Sequence, residues 1–286
     1  MNFNPISKAI FDGLLSAYQN HKKLGEEGKT KDKENRFGDM ALRGDVEAEE
    51  HILYSLKNLS ERENYRIICK SEELGENELN PEGTKDFFAV FDGLDGSSNY
   101  LKGGEFGYGT MVAVASGENP KYEDFVVAGE AMMEEGKIIL AVKNEGVFVY
   151  DVAKEEFTNL SKFKNDEVFS DSKTLGNKYF PEEIKAYGDK PWIMTGSTAW
   201  SIFSMCTDSR FNGLIEATRK KNLEQPVLYL MITELGGVMV DENGKSIGPN
   251  DFKTWGQSRD GEEFLVTAKN RGITLAIVER LDTPLK

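Results

Sequence analysis

The sequence predicts a mixed α/β protein with an α+β N-terminal half and an α/β C-terminal half. Three observations predict it. Two amphipathic helical patterns lie near the start, and an unbroken apolar run, Phe87–Phe91, has the character of a strand covered on both faces. After Trp192, strand-like and helix-like segments alternate to the C-terminus.

In order along the chain, Ile6, Ile10, Phe11, Leu14, Leu15 and Tyr18 recur at helical spacing and predict a first helix. Lys22 to Arg43 is polar, lysine-rich and glycine-bearing, and its composition predicts a mobile loop. Asp45 is suited to N-cap a second helix whose apolar side is Val46, Ile52, Leu53, Leu56 and Leu59. Strands are predicted at 65–70, 87–91, 109–115, 126–133, 137–142 and 146–152, and short turns make the last three antiparallel neighbours. The polar stretch 153–173 marks a junction, so the expected halves are 1–152 and 153–286. Beyond it come strands at 192–195, 213–217, 237–240 and 264–268, and helices at 197–206, 225–235 and 274–281.

The chain has 286 residues, with 35 Lys plus Arg against 49 Asp plus Glu, for a formal charge of -14. That balance argues against a nucleic-acid partner and against an anionic membrane surface. A phosphorylated substrate is compatible with it if bound cations reverse the local field. Cys69 and Cys206 are the only cysteines, far apart and among apolar neighbours, which reads as buried thiols in a reducing compartment. The opening MNFNPISKAIFDGLL lacks the features of a signal peptide, and no apolar run approaches the ~20 residues of a membrane span. The expected compartment is the cytoplasm. His21 and His51 are the only histidines, both read as structural, so any chemistry falls to carboxylates, hydroxyls and metal ions.

The sharpest feature is Asp92-Gly93-Leu94-Asp95-Gly96-Ser97-Ser98-Asn99, directly after the apolar run. Two carboxylates three residues apart at a strand's end, each followed by glycine, permit a turn that aims both carboxylates and the Leu94 carbonyl at one point. Such oxygen ligands suit Mg²⁺. Gly96-Ser97-Ser98 can open a helix whose N–H groups receive phosphate. Without that preceding strand, the same residues would more often form a solvated loop.

This octet resembles the signature of the inositol monophosphatase and fructose-1,6-bisphosphatase superfamily, usually Asp-Pro-Ile/Leu-Asp-Gly-Ser/Thr-x-Asn. Other segments match in order: Asp45-Val46-Glu47-Ala48-Glu49 with Ile52, Cys69-Lys70-Ser71-Glu72-Glu73, Gly196-Ser197-Thr198-Ala199, and Glu224 through Glu234-Leu235-Gly236-Gly237. The resemblance implies a layered α/β sandwich, alternating helices and sheets, with the active site between the halves. It implies Mg²⁺-dependent hydrolysis of a phosphate monoester of a small polyol or sugar, inositol 1-phosphate or fructose 1,6-bisphosphate, by metal-activated water. Two or three Mg²⁺ are implied, with Mn²⁺ as a substitute, and a homodimer. Nucleotide 3′(2′),5′-bisphosphates are the alternative substrates. A weakly catalytic, phospholigand-binding or regulatory homologue is the alternative of another class.

Residue by residue, the resemblance places Glu72, Asp92 and the Leu94 carbonyl on one ion. Asp92, Asp95 and Glu224 take a second, and a third lies near Glu72. Asp45 and Ser97 would orient and deprotonate water, with Glu72 alongside. The Gly96 and Ser97 amides, with Ser98, would cradle phosphate. Gly196, Ser197 and Glu216 would line the substrate. Arg219 and Lys221, in the basic run before Glu224, are hypothesised to bind a second phosphate. Departures from the pattern are Gly93 for proline, which loosens the turn, Leu42 for threonine, and Glu224, one methylene longer than aspartate. Ser197 has no base nearby and is given no nucleophilic role. Gly244-Lys245-Ser246 lacks the glycines of a phosphate loop, and Asn243-Gly244 reads as a turn.

Overall fold

A computed structural model describes residues 3–35, 40–103, 106–163, 173–176, 192–208, 211–218, 223–241, 243–252 and 263–281. Helix α1 (Pro5–Leu24) starts with the Asn4 side chain accepting from Ser7 N–H at 2.9 Å and with Pro5 at its first position. Helix α2 (Arg43–Glu63) begins earlier than expected, with its N-cap three residues before Asp45. Leu42 occupies its N-cap without a side-chain bond, and Asp45 lies in the first turn, where the helix dipole favours a carboxylate.

The segment between these helices is not the open loop its composition predicts. A 3-10 turn (Gly25–Lys29) is followed by strand β1 (Lys31–Glu34), paired antiparallel with β2 (Met40–Leu42). Tyr100 donates its hydroxyl proton to the Gly25 carbonyl at 2.8 Å, and Arg43 pairs with Glu27 at 2.9 Å. Composition registers none of these long-range contacts.

Among the described residues, eight strands form the first sheet: β3 (Tyr65–Ser71), β4 (Gly75–Leu79), β5 (Lys85–Asp95), β6 (Gly109–Ser116), β7 (Phe125–Met132), β8 (Lys137–Val142), β9 (Gly146–Asp151) and β10 (Glu156–Asn159), in the order β10-β9-β8-β7-β6-β5-β3-β4. β3 and β5 are parallel, and the other neighbours are antiparallel. The edges, β4 and β10, have no predicted counterpart. Their sequences, GENEL and EFTN, are too polar to show alternation, as suits strands that expose one edge. β10 also carries this sheet past residue 152.

The second sheet has five strands among the described residues: β11 (Lys173–Gly176), β12 (Trp192–Met194), β13 (Phe211–Thr218), β14 (Val238–Asp241) and β15 (Glu263–Ala268), ordered β12-β11-β13-β15-β14. Three further helices of the C-terminal half are described as α4 (Thr198–Thr207), α5 (Gln225–Glu234) and α6 (Arg271–Leu281). The short α3 (Ser97–Lys102) follows β5.

Three apolar clusters stack these elements. Ile10, Leu14, Ile52 and Leu56 of α1 and α2 pack on Phe87, Ala89, Phe91 and Val112, one face of the large sheet. Its other face, with Phe88, Val90, Met111 and Ala113, packs on Ile202 and Met205 of α4 and Val227 and Met231 of α5. Leu214, Met239 and Leu265 of the second sheet close that same cluster, and Ile273 and Ile277 of α6 cover its far side. The layers therefore run helices, sheet, helices, sheet, helix. The five-residue apolar run needed no alternation because β5 is covered on both faces. Among the described residues, no helix is long and apolar enough to cross a membrane.

Cys69 is buried and Cys206 half-buried, and burial pushes both thiols up. Both are free, as their separation in sequence predicts.

Candidate metal centre

The period of two along β5 sends Phe88 and Val90 towards α4 and α5. Asp92 continues that phase, lies opposite Met111, and is 4% exposed. Pairing with β6 then becomes irregular between Asp92 and Asp95. Within this interval Asp92 Oδ1 accepts from Leu94 N–H at 2.8 Å, and the Thr110 hydroxyl donates to the Gly93 carbonyl at 2.7 Å. The bulge turns two carboxylates three residues apart towards one region, as β-bulges re-aim side chains.

Asp95 is held by the start of α4. Its Oδ2 accepts from the Ser197 hydroxyl at 2.7 Å and from Ala199 N–H at 2.8 Å. Ser197 is also the N-cap, its Oγ accepting from Trp200 N–H at 3.1 Å. The chain can leave Asp95 in this direction because Gly96 has φ +89 and a Cβ there would lie 2.8 Å from Ser197 Cβ.

Glu224 comes from the other half. It occupies the N-cap position of α5 without a side-chain hydrogen bond to the helix end. The preceding Leu223 is 1% exposed in the core, and the following Gln225 accepts from the Tyr122 hydroxyl at 2.5 Å. The result is one tight group: carboxylate oxygens of Asp92, Asp95 and Glu224 all lie within 4.8 Å of one another. The extra methylene of Glu224 is therefore accommodated.

The electrostatics of this group are unfavourable in the absence of a cation. Burial first, then Asp45, Glu224, Asp95 and Glu49, push the Asp92 carboxyl well above its usual range. Burial and Glu224 push Asp95 up as well, against the opposing donors at Ala199, Ser197 and Thr198. Buried like charges at this spacing repel unless protonated or bridged by a cation. The donor set is all oxygen, the chemistry that hard divalent ions such as Mg²⁺ prefer, so the residues present fit that group.

The other expected residues are placed as follows. Asp45 is 6% exposed and lies against Gly93, beside the cluster. Glu72 follows β3, whose last residue Ser71 stands opposite Phe91, and it is not one of the three converging residues. Leu94 is buried within the turn. Gly96 precedes α3 as its N-cap, and Ser97 and Ser98 open that helix, both half-buried. Gly196 lies 3.5 Å, measured from a Cβ position, from Asn99 Oδ1. Ser197 is spent on Asp95 and on the cap of α4. Glu216 lies in β13, and its side chain is outside the described residues, as are Arg219 and Lys221.

Two residues that stand in the matched segments without an assigned role also support the site. Asn99, the last residue of the octet, donates to the carbonyls of Gly107 at 3.1 Å and Thr195 at 3.0 Å, tying α3 to the turn before α4. Glu49, four residues after Asp45 and so on the same helix face, is fully buried and accepts from the Glu73 and Leu74 amides. Burial pushes it up to about 7, against the Ser71 hydroxyl and those amides. A charged residue one turn from a candidate catalytic aspartate was the available signal.

No protein-family model matches the chain, and no curated protein does. Solved structures do match. The extragenic suppressor protein suhB from Bartonella henselae aligns over 99% of this chain and 100% of its own, at 16% identity and TM-score 0.73. Leishmania major fructose-1,6-bisphosphatase aligns over 96% and 92%, at 18% identity and TM-score 0.68. An IMPase from Thermotoga maritima aligns over 94% of each chain, at 14% identity and TM-score 0.67. The chain has the fold that these proteins share.

Proposed function

We propose that this protein is a Mg²⁺-dependent phosphomonoesterase acting on a small polyol or sugar phosphate, inositol 1-phosphate or fructose 1,6-bisphosphate. The observation that carries the proposal is the convergence of buried Asp92 and half-buried Asp95 and Glu224, from two halves of the chain, on one point. The fold shared with a fructose-1,6-bisphosphatase and an IMPase supports it. The working division is 1–152, which supplies Asp92 and Asp95, and 153–286, which supplies Glu224.

Asp92, Asp95 and Glu224 would hold one ion, and Glu72, Asp92 and the Leu94 carbonyl another, with a third near Glu72 and Mn²⁺ as a substitute. A bound divalent ion neutralises phosphate charge and makes water acidic enough to attack at neutral pH. The chain's own residues do the positioning. Asp45 would orient the attacking water and take its proton, with Ser97, at the start of α3, and Glu72 as its neighbours. The Gly96, Ser97 and Ser98 amides would receive the phosphate. Gly196 and Ser197 would shape the substrate side, while Glu216, Arg219 and Lys221 would meet its hydroxyls or a second phosphate. A cytoplasmic homodimer completes the proposal.

One observation favours the second reading, a weakly catalytic phospholigand-binding homologue: Leu42 stands where the resembled pattern has threonine, and it is buried without a side-chain cap. Phosphate release from a panel of inositol, sugar and nucleotide phosphates, with Mg²⁺ and with chelator, decides. Mg²⁺-stimulated release that Asp95→Asn abolishes is expected. Binding of the same esters without turnover would favour the homologue.

A further inference from the structure

The turn that presents Glu72 is held by a residue outside the carboxylate group. Glu72-Glu73-Leu74 joins β3 to β4, closing where Ser71 pairs with Gly75. Glu73 N–H donates to both oxygens of Glu49, at 3.0 and 3.1 Å, and Leu74 N–H donates to Glu49 Oε2 at 2.8 Å. Glu49 is fully buried on α2, which packs against β3 and β5. From the other side Asn35 donates to Glu73 Oε1 at 3.2 Å.

A turn that needed only an acceptor could use a neutral amide. Instead a carboxylate is buried within reach of Asp92, on which it acts as a further like charge. A buried anion is expensive unless its bonds are good and its place matters. Two oxygens facing two adjacent amides fix the orientation of the turn, which a single oxygen would leave free to rotate. Because β3 runs parallel to β5 with Ser71 opposite Phe91, that orientation decides whether Glu72 faces Asp92.

We infer that Glu49 is a positioning residue: through the Glu73 and Leu74 amides it sets Glu72 against Asp92 and so tunes divalent-cation affinity. The inference rests on the phosphatase reading, with Glu72 as a ligand. Glu49→Gln keeps the shape but sets an NH₂ group against a backbone N–H. Outer partners of metal ligands typically change affinity by about 10–100-fold when altered.

The test uses full-length wild type, Glu49→Gln, Glu49→Asp and, as control, the exposed Glu50→Gln. Mg²⁺ affinity is read by calorimetry, phosphate release against Mg²⁺ concentration, and amide exchange at Glu73 and Leu74. For Glu49→Gln the expected result is faster exchange at both amides and Mg²⁺ binding weakened ~10–100-fold. Its kcat at saturating Mg²⁺ should stay within about 3-fold of wild type, because ground-state metal binding is what is lost. Glu49→Asp should fall between, and Glu50→Gln should match wild type. Unchanged Mg²⁺ affinity in a folded Glu49→Gln, despite faster exchange, overturns the inference and leaves the phosphatase reading intact. If Glu49→Gln does not fold, unchanged affinity in Glu49→Asp overturns it equally. Wild type that takes up no Mg²⁺ overturns both.

Discussion

Gly93 lies flat against the first turn of α2 at Asp45. A Cβ at position 93 would sit 2.2 Å from the Asp45 carbonyl oxygen and 2.5 Å from its Oδ1. Glycine here does not loosen the turn, as its replacement of proline suggests in the sequence. It permits a helix from one side of the sheet to bring Asp45 against the Asp92–Asp95 bulge. Gly93→Ala is expected to lower stability by about 1–3 kcal/mol, the usual cost of overpacking. It should reduce phosphate release further, by displacing Asp45. Gly93→Pro, which restores the resembled motif, should be worse than alanine, not better. Urea unfolding and initial rates check this, and a wild-type-like Gly93→Pro would show that the contact is slack.

Asp92→Asn separates folding from metal binding. Asp92 is buried among Asp45, Glu224 and Asp95, so removing its charge relieves repulsion in the metal-free protein. The melting temperature in chelator should rise. Wild type should gain ~2.7 kcal/mol when Mg²⁺ reaches 100 times its Kd, and the variant should gain almost nothing. Calorimetric melts with and without Mg²⁺ give both quantities. A variant less stable than wild type in chelator contradicts the account of the cluster.

Glu130 on β7 is fully buried, and neither of its oxygens meets a hydrogen-bond partner among the described residues. Burial, with Asp95 and Glu135, pushes it well above the usual carboxyl range. The unfolded chain then binds fewer protons than the native one above the unfolded value of ~4.3, so this residue lowers stability progressively as pH rises. Glu130→Gln should match wild type near pH 4. By pH 8 it should be more stable by over ~1.4 kcal/mol, the equivalent of one pKa unit. Parallel stability curves for the two proteins from pH 4 to 8 would refute this.

His21 works with the opposite sign. It is 5% exposed, its Nε2 stands 3.2 Å from the Tyr108 hydroxyl, and its ring lies 4.8 Å from that of Tyr100. Burial and Lys22 push it down to about 4. Between that value and the unfolded 6.5 the unfolded chain holds the extra proton, so stability falls as pH drops through this window, by up to ~3 kcal/mol. His21→Gln should lose some packing at pH 7 yet show a shallower decline to pH 4. The difference between the two pH profiles isolates this residue, and equal slopes would mean that His21 titrates normally.

The large sheet and most helices were legible in the sequence because their residues follow two simple periods. β8 was expected at Lys137–Val142 and is found there, since both its turns are short and its residues after Lys137 are all apolar. β4, β10 and the β1–β2 ribbon were not legible. Their partners supply backbone bonds rather than a hydrophobic face, so local composition carries no trace of them. Asp45 was expected as an N-cap, but the helix starts at Arg43 because packing buries Leu42.

The carboxylate residue types, and their positions at the end of a buried strand and near a helix start, were determined by the sequence alone. Local chemistry decides that much: Asp92 and Asp95 are three residues apart, and glycines let the chain turn between them. Their meeting with Glu224 was decided only by the tertiary structure, together with the tethering of Asp95 by Ser197 and the clamping of Glu73 and Leu74 by Glu49. These contacts span from 24 residues of chain, Glu49 to Glu73, to 132, Asp92 to Glu224. They arise because layers of helix and sheet stack on shared apolar faces, and no periodicity along a sequence encodes which faces will meet.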